Sequence, residues 1–228
     1  MKKRFLVSVF ICAGVLSACT VNAGTIVGKV VVKGDVSLEP EKAMAKEDLI
    51  KFKKSLVISE KGGLANSVIY VNEEAKEKFN AEGINAIMDQ KEETYIPHVL
   101  AVLQGTTVDF LNSDNILHNV HTYLDGETVF NRAMPVYKKK SSKVFDVPGI
   151  VSVACDVHPH MQAYIYVLEN PYFAVSNEGG LFVIKDVPPG TYEIKLWHER
   201  LNKELSTTVQ VKADGKSPVV FEVPAGSL

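Results

Sequence analysis

The sequence predicts an all-β chain, and three observations predict it. Short β-rich apolar segments recur along most of the length, separated by turn signals built from Gly, Pro, Asn and Asp. Their texture changes near Ile84 and again after Asn170-Pro171, which divides the chain into more than one unit. His118-Asn119-Val120-His121 opens one segment, and Ala154-Cys155-Asp156-Val157-His158-Pro159-His160-Met161 closes another. Two strand ends far apart in sequence therefore carry the side chains richest in chemistry.

The 228 residues suffice for one large or two small domains, and a 46% apolar content supports a proper core. A formal net charge of -2 makes no case for nucleic acid.

The N-terminus reads as a secretory signal over residues 1–23. Met1-Lys2-Lys3-Arg4 is a basic leader, Phe5 to Ser17 is apolar but short for a membrane span, and small residues follow. Two cleavage readings stand open. Val21-Asn22-Ala23 before Gly24 has the small-x-small pattern of ordinary processing, whereas Leu16-Ser17-Ala18-Cys19 resembles a bacterial lipobox that would tether the protein through Cys19. Either places the protein outside the cytoplasm, in the periplasm. Ordinary cleavage removes Cys12 and Cys19 and leaves Cys155 with no intramolecular disulfide partner. A lone thiol in an oxidising compartment is a liability unless it is buried or bound to metal.

Thr25 to Lys33 is β-rich and ends at the Gly34-Asp35 turn. Glu41 to Lys54 mixes apolar and charged residues at helical spacing, and Ser67 to Val71 reads as a buried strand. Glu73 to Asn80 is a charged connection. Further strands are expected over Asn85 to Asp89, Val99 to Leu103, Thr106 to Leu111, His118 to Tyr123, Lys143 to Val147, Ile150 to Ala154 and Ala163 to Leu168. This spacing predicts a β-sandwich or barrel. After Asn170-Pro171, Phe173 to Val175, Leu181 to Ile184, Tyr192 to Trp197, Leu205 to Val211 and Val219 to Val223 alternate with turns again. That region holds no cysteine and no carboxylate cluster, so it reads as a structural sandwich.

The motif Cys155-x2-His158-x2-Met161 lets one tight loop present a thiolate, an imidazole and a thioether to a single ion, with a fourth donor arriving from elsewhere. Copper sites that transfer electrons combine two His and one Cys with a weak axial Met. Alone, Met161 would read as core filler and His118 as a satisfied polar residue at a strand end; beside Cys155 both read as ligands. Zinc is less suited, because structural zinc takes more thiolates and catalytic zinc is bound by His or carboxylate without Met. Pro159 lacks an N–H and fixes φ, which stiffens the loop. On an extended strand His121 faces away from His118. His98 receives no chemistry, His198 reads as structural beside Trp197, and Tyr164 and Tyr166 share one packing face.

Residues 84–169 resemble the cupredoxins, most closely the amicyanin and plastocyanin type. The resemblance is carried by Pro97-His98-Val99, Gly105-Thr106-Thr107-Val108, Asn112-Ser113-Asp114, His118-Asn119-Val120-His121, Pro148-Gly149 and Cys155 through Met161. It implies a Greek-key β-sandwich and one type 1 copper bound by His118, Cys155, His158 and Met161. It also implies that Asn119 braces the loop by hydrogen bonds toward Asp156. His160 stands where amicyanin-like loops often carry an aromatic residue, which leaves open whether it is a spectator or competes for the metal. Residues 24–72 and 170–228 resemble the carboxypeptidase regulatory-like, transthyretin-like β-sandwich through Gly28-Lys29-Val30, Gly179-Gly180-Leu181-Phe182 and Val187-Pro188-Pro189-Gly190-Thr191-Tyr192. The cupredoxin unit would then be inserted into that sandwich or packed beside it, as in secreted bacterial proteins of the methylamine-utilisation or plastocyanin-like kind.

No Ser-His-Asp pattern, His-Glu-x-x-His, phosphate loop or convincing carboxylate pair is present, so no enzyme is expected. A binuclear copper centre would need a second Cys near Cys155. The expectation is a periplasmic single-electron carrier working between unidentified redox proteins, with no nucleic acid and with a membrane only if lipid-anchored. A copper carrier or sequestration protein without redox partners is the alternative. A third reading is an adhesion-like pair of sandwiches with a vestigial metal loop.

Overall fold

The computed structural model describes residues 22–35, 46–74, 79 and 81–228. The expected signal segment up to residue 21, both of its cysteines, the start of the expected helix and most of the 73–80 connection lie outside the described residues. Among those described, no helix is long and apolar enough to cross a membrane.

Among the described residues the chain is all-β apart from one helix and a terminal turn. β1 (Gly24–Lys33), α1 (Lys46–Ser55) and β2 (Val68–Val71) precede a run of nine strands. These are β3 (Asn85–Lys91), β4 (Thr94–Ile96), β5 (Val99–Leu103), β6 (Thr106–Asn112), β7 (His118–Leu124), β8 (Glu127–Met134), β9 (Lys140–Phe145), β10 (Gly149–Ala154) and β11 (Gln162–Leu168). The last five are β12 (Phe173–Val175), β13 (Leu181–Val187), β14 (Gly190–Trp197), β15 (Leu205–Val211) and β16 (Lys216–Pro224).

The middle run forms one sandwich. A five-stranded sheet, β5-β11-β10-β7-β8, faces a four-stranded sheet, β4-β3-β6-β9. Alternate residues of each sheet point inward and meet in one core that includes Met88, Val108, Phe110 and Phe145 from one side and Val120, Val153, Ala163 and Ile165 from the other. Cys155 and Met161 belong to the same cluster. β10 lies antiparallel to β7, pairing Ala154 with His121. This pairing carries the end of the cysteine strand to the start of the histidine strand. β7 and β8 are joined at Asp125-Gly126, whose φ values of 52° and 84° suit a hairpin turn in which both central residues are left-handed.

The remaining strands form a second sandwich, with sheets β13-β1-β16 and β12-β2-β14-β15 around Ile26, Val30, Leu64, Ile69, Ile184, Ile194, Leu196 and Val223. The chain leaves this sandwich from β2 and returns in β12, and these two strands pair with each other, Tyr70 opposite Phe173. The nine-strand run thus begins and ends at neighbouring points.

The outer face of β5 and β11 packs on the outer face of β2 and β14. Val68, Tyr70, Val99, Leu168 and Trp197 are buried there. Trp197 meets Tyr164 and Tyr166 edge-on at centroid distances of 5.5 and 5.7 Å. Burying polar rings requires partners for their hydroxyls. Glu204 supplies them, accepting from Tyr70 at 2.7 Å and from Tyr166 at 3.1 Å.

Several expectations need correction. β4 and β8 are strands that the sequence pattern does not reveal. β9 runs over Lys140–Phe145 instead of residues 143–147, since its pairing with β6 starts at Lys140 opposite Leu111 and stops at Phe145. β13 extends to Val187, and β16 runs over Lys216–Pro224 because it follows β1 in parallel register along the whole of that strand.

Candidate metal centre

Asn112, at the end of β6, shapes the segment that leads into β7. Its amide donates to the carbonyls of Ile116 at 3.1 Å and Met134 at 2.8 Å, and its Oδ1 accepts from the Asp114 N–H at 3.1 Å. The turn delivers His118 into the interior, where it is fully buried. Asp114 then faces the ring, with its Oδ2 2.8 Å from His118 Nε2. A carboxylate beside a ring nitrogen requires the proton on that nitrogen, so Nδ1 is left with its lone pair free.

Cys155 follows β10 and is buried. The Asn119 N–H points at its Sγ from 3.3 Å. Beyond it, the Met161 N–H donates to the His158 carbonyl at 2.9 Å, closing a four-residue turn with Pro159 at its second position, where a fixed φ suits the bend. This turn brings His158 back over the cysteine. Its Nδ1 lies 3.0 Å from His118 Nδ1 and 3.8 Å from Cys155 Sγ.

His118, Cys155 and His158 thus offer one donor atom each, all within 4.8 Å of one another, and can hold a metal ion. Metal–nitrogen bonds near 2.0 Å and metal–sulfur bonds near 2.3 Å place ligand atoms about 3 to 4 Å apart. The separations from His158 Nδ1 to His118 Nδ1 and to Cys155 Sγ, 3.0 and 3.8 Å, fall in that range. Met161 is buried in the apolar cluster that contains Cys155.

The other histidines lie outside this trio. His160 faces the Glu93 carboxylate at 3.4 Å, with its ring 6.0 Å from that of His158. His121 turns outward, as the strand alternation predicts, to Asp156 at 3.0 Å and Thr128 at 2.9 Å. His98 pairs with Glu199 of the second sandwich. His198 is fully buried, and desolvation brings its pKa down to about 4. The bracing bond from Asn119 is present: its Oδ1 accepts from the Asp156 N–H at 3.3 Å.

Asp114 and Tyr95 are site residues that the sequence reading misses. Burial pushes the Asp114 carboxyl up, but bonds from the Glu93 N–H, His118 and the Glu92 N–H together outweigh burial and hold it below the usual carboxylate value. Tyr95 reaches across from β4, with its hydroxyl 2.7 Å from the Asn119 carbonyl and 2.9 Å from the Ala154 carbonyl. It ties the histidine strand to the cysteine strand from the core side, and burial raises its pKa. An Asp four residues before a buried His was the available signal for Asp114. Tyr95 gave none.

No family model matches the chain, and no curated protein does. Among solved structures, a reduced amicyanin variant is similar over 44% of this chain and 98% of its own, at 23% identity and a TM-score of 0.34. A purple cupredoxin from Nitrosopumilus maritimus is similar over 36% of this chain and 99% of its own, at 23% identity and a TM-score of 0.33. A copper-containing nitrite reductase from Thermus scotoductus SA-01 is similar over 41% of this chain and 26% of its own, at 21% identity and a TM-score of 0.34.

Proposed function

We propose that the protein is a mononuclear copper protein that carries single electrons outside the cytoplasm, with His118, Cys155, His158 and Met161 as ligands. The observation that carries the reading is the convergence of one thiol sulfur and two imidazole Nδ1 atoms in a pocket where His118 and Cys155 are buried. The donor set suits copper, because a thiolate with two imidazoles and a thioether favours Cu(I) and Cu(II) over hard cations. Copper bound there would supply a one-electron couple. The residues around it limit rearrangement: Asp114 holds the His118 ring, the Asn119 N–H steadies the sulfur, and the Pro159 turn fixes His158.

His158 is partly exposed and is the ligand nearest solvent. Leu117 and Val157, the chain neighbours of His118 and His158, are exposed apolar residues. They give a redox protein an apolar surface at which an electron would enter or leave through His158. The two sandwiches serve as two domains, residues 84–169 holding copper and residues 24–72 with 170–228 supporting it. Export through residues 1–23 supplies the oxidising setting in which a metal protects Cys155.

The copper storage alternative differs in one measurement. Voltammetry of the copper-loaded protein should give a reversible one-electron wave at a fixed potential. Copper exchange without fast electron exchange would favour storage.

A further inference from the structure

On the outer face of the five-stranded sheet, beside the metal loop, four polar residues form a hydrogen-bonded run, Asn131 to Asn119 to Asp156 to His121, that the proposed ligands leave unexplained. The Asp156 N–H donates to Asn119 Oδ1 at 3.3 Å, and Asn119 Nδ2 donates to Asn131 Oδ1 at 2.7 Å. This leaves the Asn131 amide nitrogen 3.2 Å from His121 Nδ1, a contact between two donors and not a hydrogen bond, while the Tyr123 hydroxyl lies 2.7 Å from the same ring nitrogen. The same Nδ1 lies 3.0 and 3.1 Å from the two Asp156 carboxylate oxygens. A carboxylate so placed demands a proton on Nδ1, and Nε2 then accepts from the Thr128 hydroxyl at 2.9 Å. Tyr123 lies stacked on the His121 ring at a centroid distance of 4.1 Å.

The run spans two strands and the loop. His121 and Asn119 belong to β7, Asn131 and Thr128 to β8, and Asp156 follows Cys155 directly. The β7–β8 register shifts at Thr122/Tyr123, leaving Val129 as an extra residue between Thr128 and Phe130. Such bulges re-aim side chains at sheet edges. Tyr95 holds the same two backbone pieces from the opposite, core side. The loop that carries the sulfur is thus gripped on both faces at the residues flanking it.

We propose that His121 and Asn131 are positioning residues for the metal centre. Through Asp156 and Asn119 they fix the spacing between the histidine strand and the cysteine loop before any metal arrives. Neither touches a ligand side chain. They act by holding the backbone that aims the Asn119 N–H at Cys155 Sγ. The copper reading says only what this device serves, so the test is made on metal-free protein.

The test is the rate at which the Cys155 thiol of the metal-free full chain reacts with an aromatic disulfide reagent. The thiol is buried, so attack requires the loop to open. His121→Phe, which removes a charge-assisted hydrogen bond to Asp156, should raise the rate about 10-fold or more, and Asn131→Ala, which removes the neutral bond from Asn119, should raise it about 5-fold. Asn85→Ala, which removes a hydrogen bond to Asp109 at the far end of β3, should leave it unchanged. Hydrogen exchange at the Asn119 amide should accelerate in the first two variants alone. Unchanged rates in both, or an equal rise in Asn85→Ala, would overturn the proposal. A wild type that takes up no copper would sink the functional reading and leave this result standing.

Discussion

A single carboxylate decides which nitrogen of His118 faces Cys155 and His158. Asp114 lies against Nε2, so Nδ1 points at His158 and the sulfur. Replacing such an outer partner of a ligating His weakens metal affinity by about 10- to 100-fold. Asp114→Asn should therefore lower copper affinity by that factor in a competitive chelator titration while keeping the colour of the site. His198 makes a second claim at this scale. Its folded pKa of about 4 lies below the ordinary value of 6.5 because burial disfavours the charged ring. A group depressed in this way contributes stability that is fully present at high pH and is lost as pH falls through the window between those values. Urea denaturation should show about 2 kcal/mol lost between pH 7 and pH 5 from this residue, and His198→Asn should remove that part of the slope. Asp109, held below the usual carboxylate range by the Ser142 hydroxyl and Lys140, acts in a more acidic range, since carboxyls release stability only near and below their ordinary values.

Among the elements, those bounded by strong turn signals were legible in the sequence. Val99–Leu103 ends at Gln104-Gly105, and Leu205–Val211 alternates cleanly between buried and exposed positions. β8 was not legible because it is an edge strand. Only Met134 of its eight residues is fully buried, so Glu127 to Met134 carries no two-residue hydrophobic period. β4 was hidden by its turn. Glu92 and Glu93 adopt φ values of 53° and 52°, a left-handed conformation that ordinarily calls for Gly or Asn. Their N–H groups both donate to the Asp114 carboxylate, which offsets the strain and is visible only in three dimensions. The same distinction separates the site residues. Cys155, His158 and Met161 announce themselves by spacing within one loop, whereas Tyr95 and the hydrogen bonds joining His121, Asp156, Asn119 and Asn131 depend on strand pairings that no local pattern encodes.

At the scale of the whole molecule, the two sandwiches meet through an aromatic interface, with Trp197 set against Tyr164 and Tyr166. Burial brings both tyrosine hydroxyls up to a pKa of about 12, so both stay protonated at neutral pH; Tyr166 donates to Glu204, and Tyr164 accepts from the Gln162 amide at 2.7 Å. Trp197→Ala should cost about 3 to 5 kcal/mol in calorimetric unfolding and should leave copper binding intact, because the proposed ligands lie in the other sandwich. A cost below about 1 kcal/mol would mean that the sandwiches do not depend on this contact. Beneath the interface lies one architectural fact: β7 and β10 are 25 residues apart in sequence, counted from Leu124 to Gly149, yet they pair directly, and this puts His118 and the cysteine loop at one end of one sheet.

The measurement that tests this convergence most directly is the visible spectrum of the purified protein as Cu(II) is added. An intense thiolate-to-copper absorption that saturates at one copper per chain and vanishes in Cys155→Ser is the predicted result. A wild type that binds copper tightly and stays colourless would show that the sulfur and the two imidazoles do not share one ion.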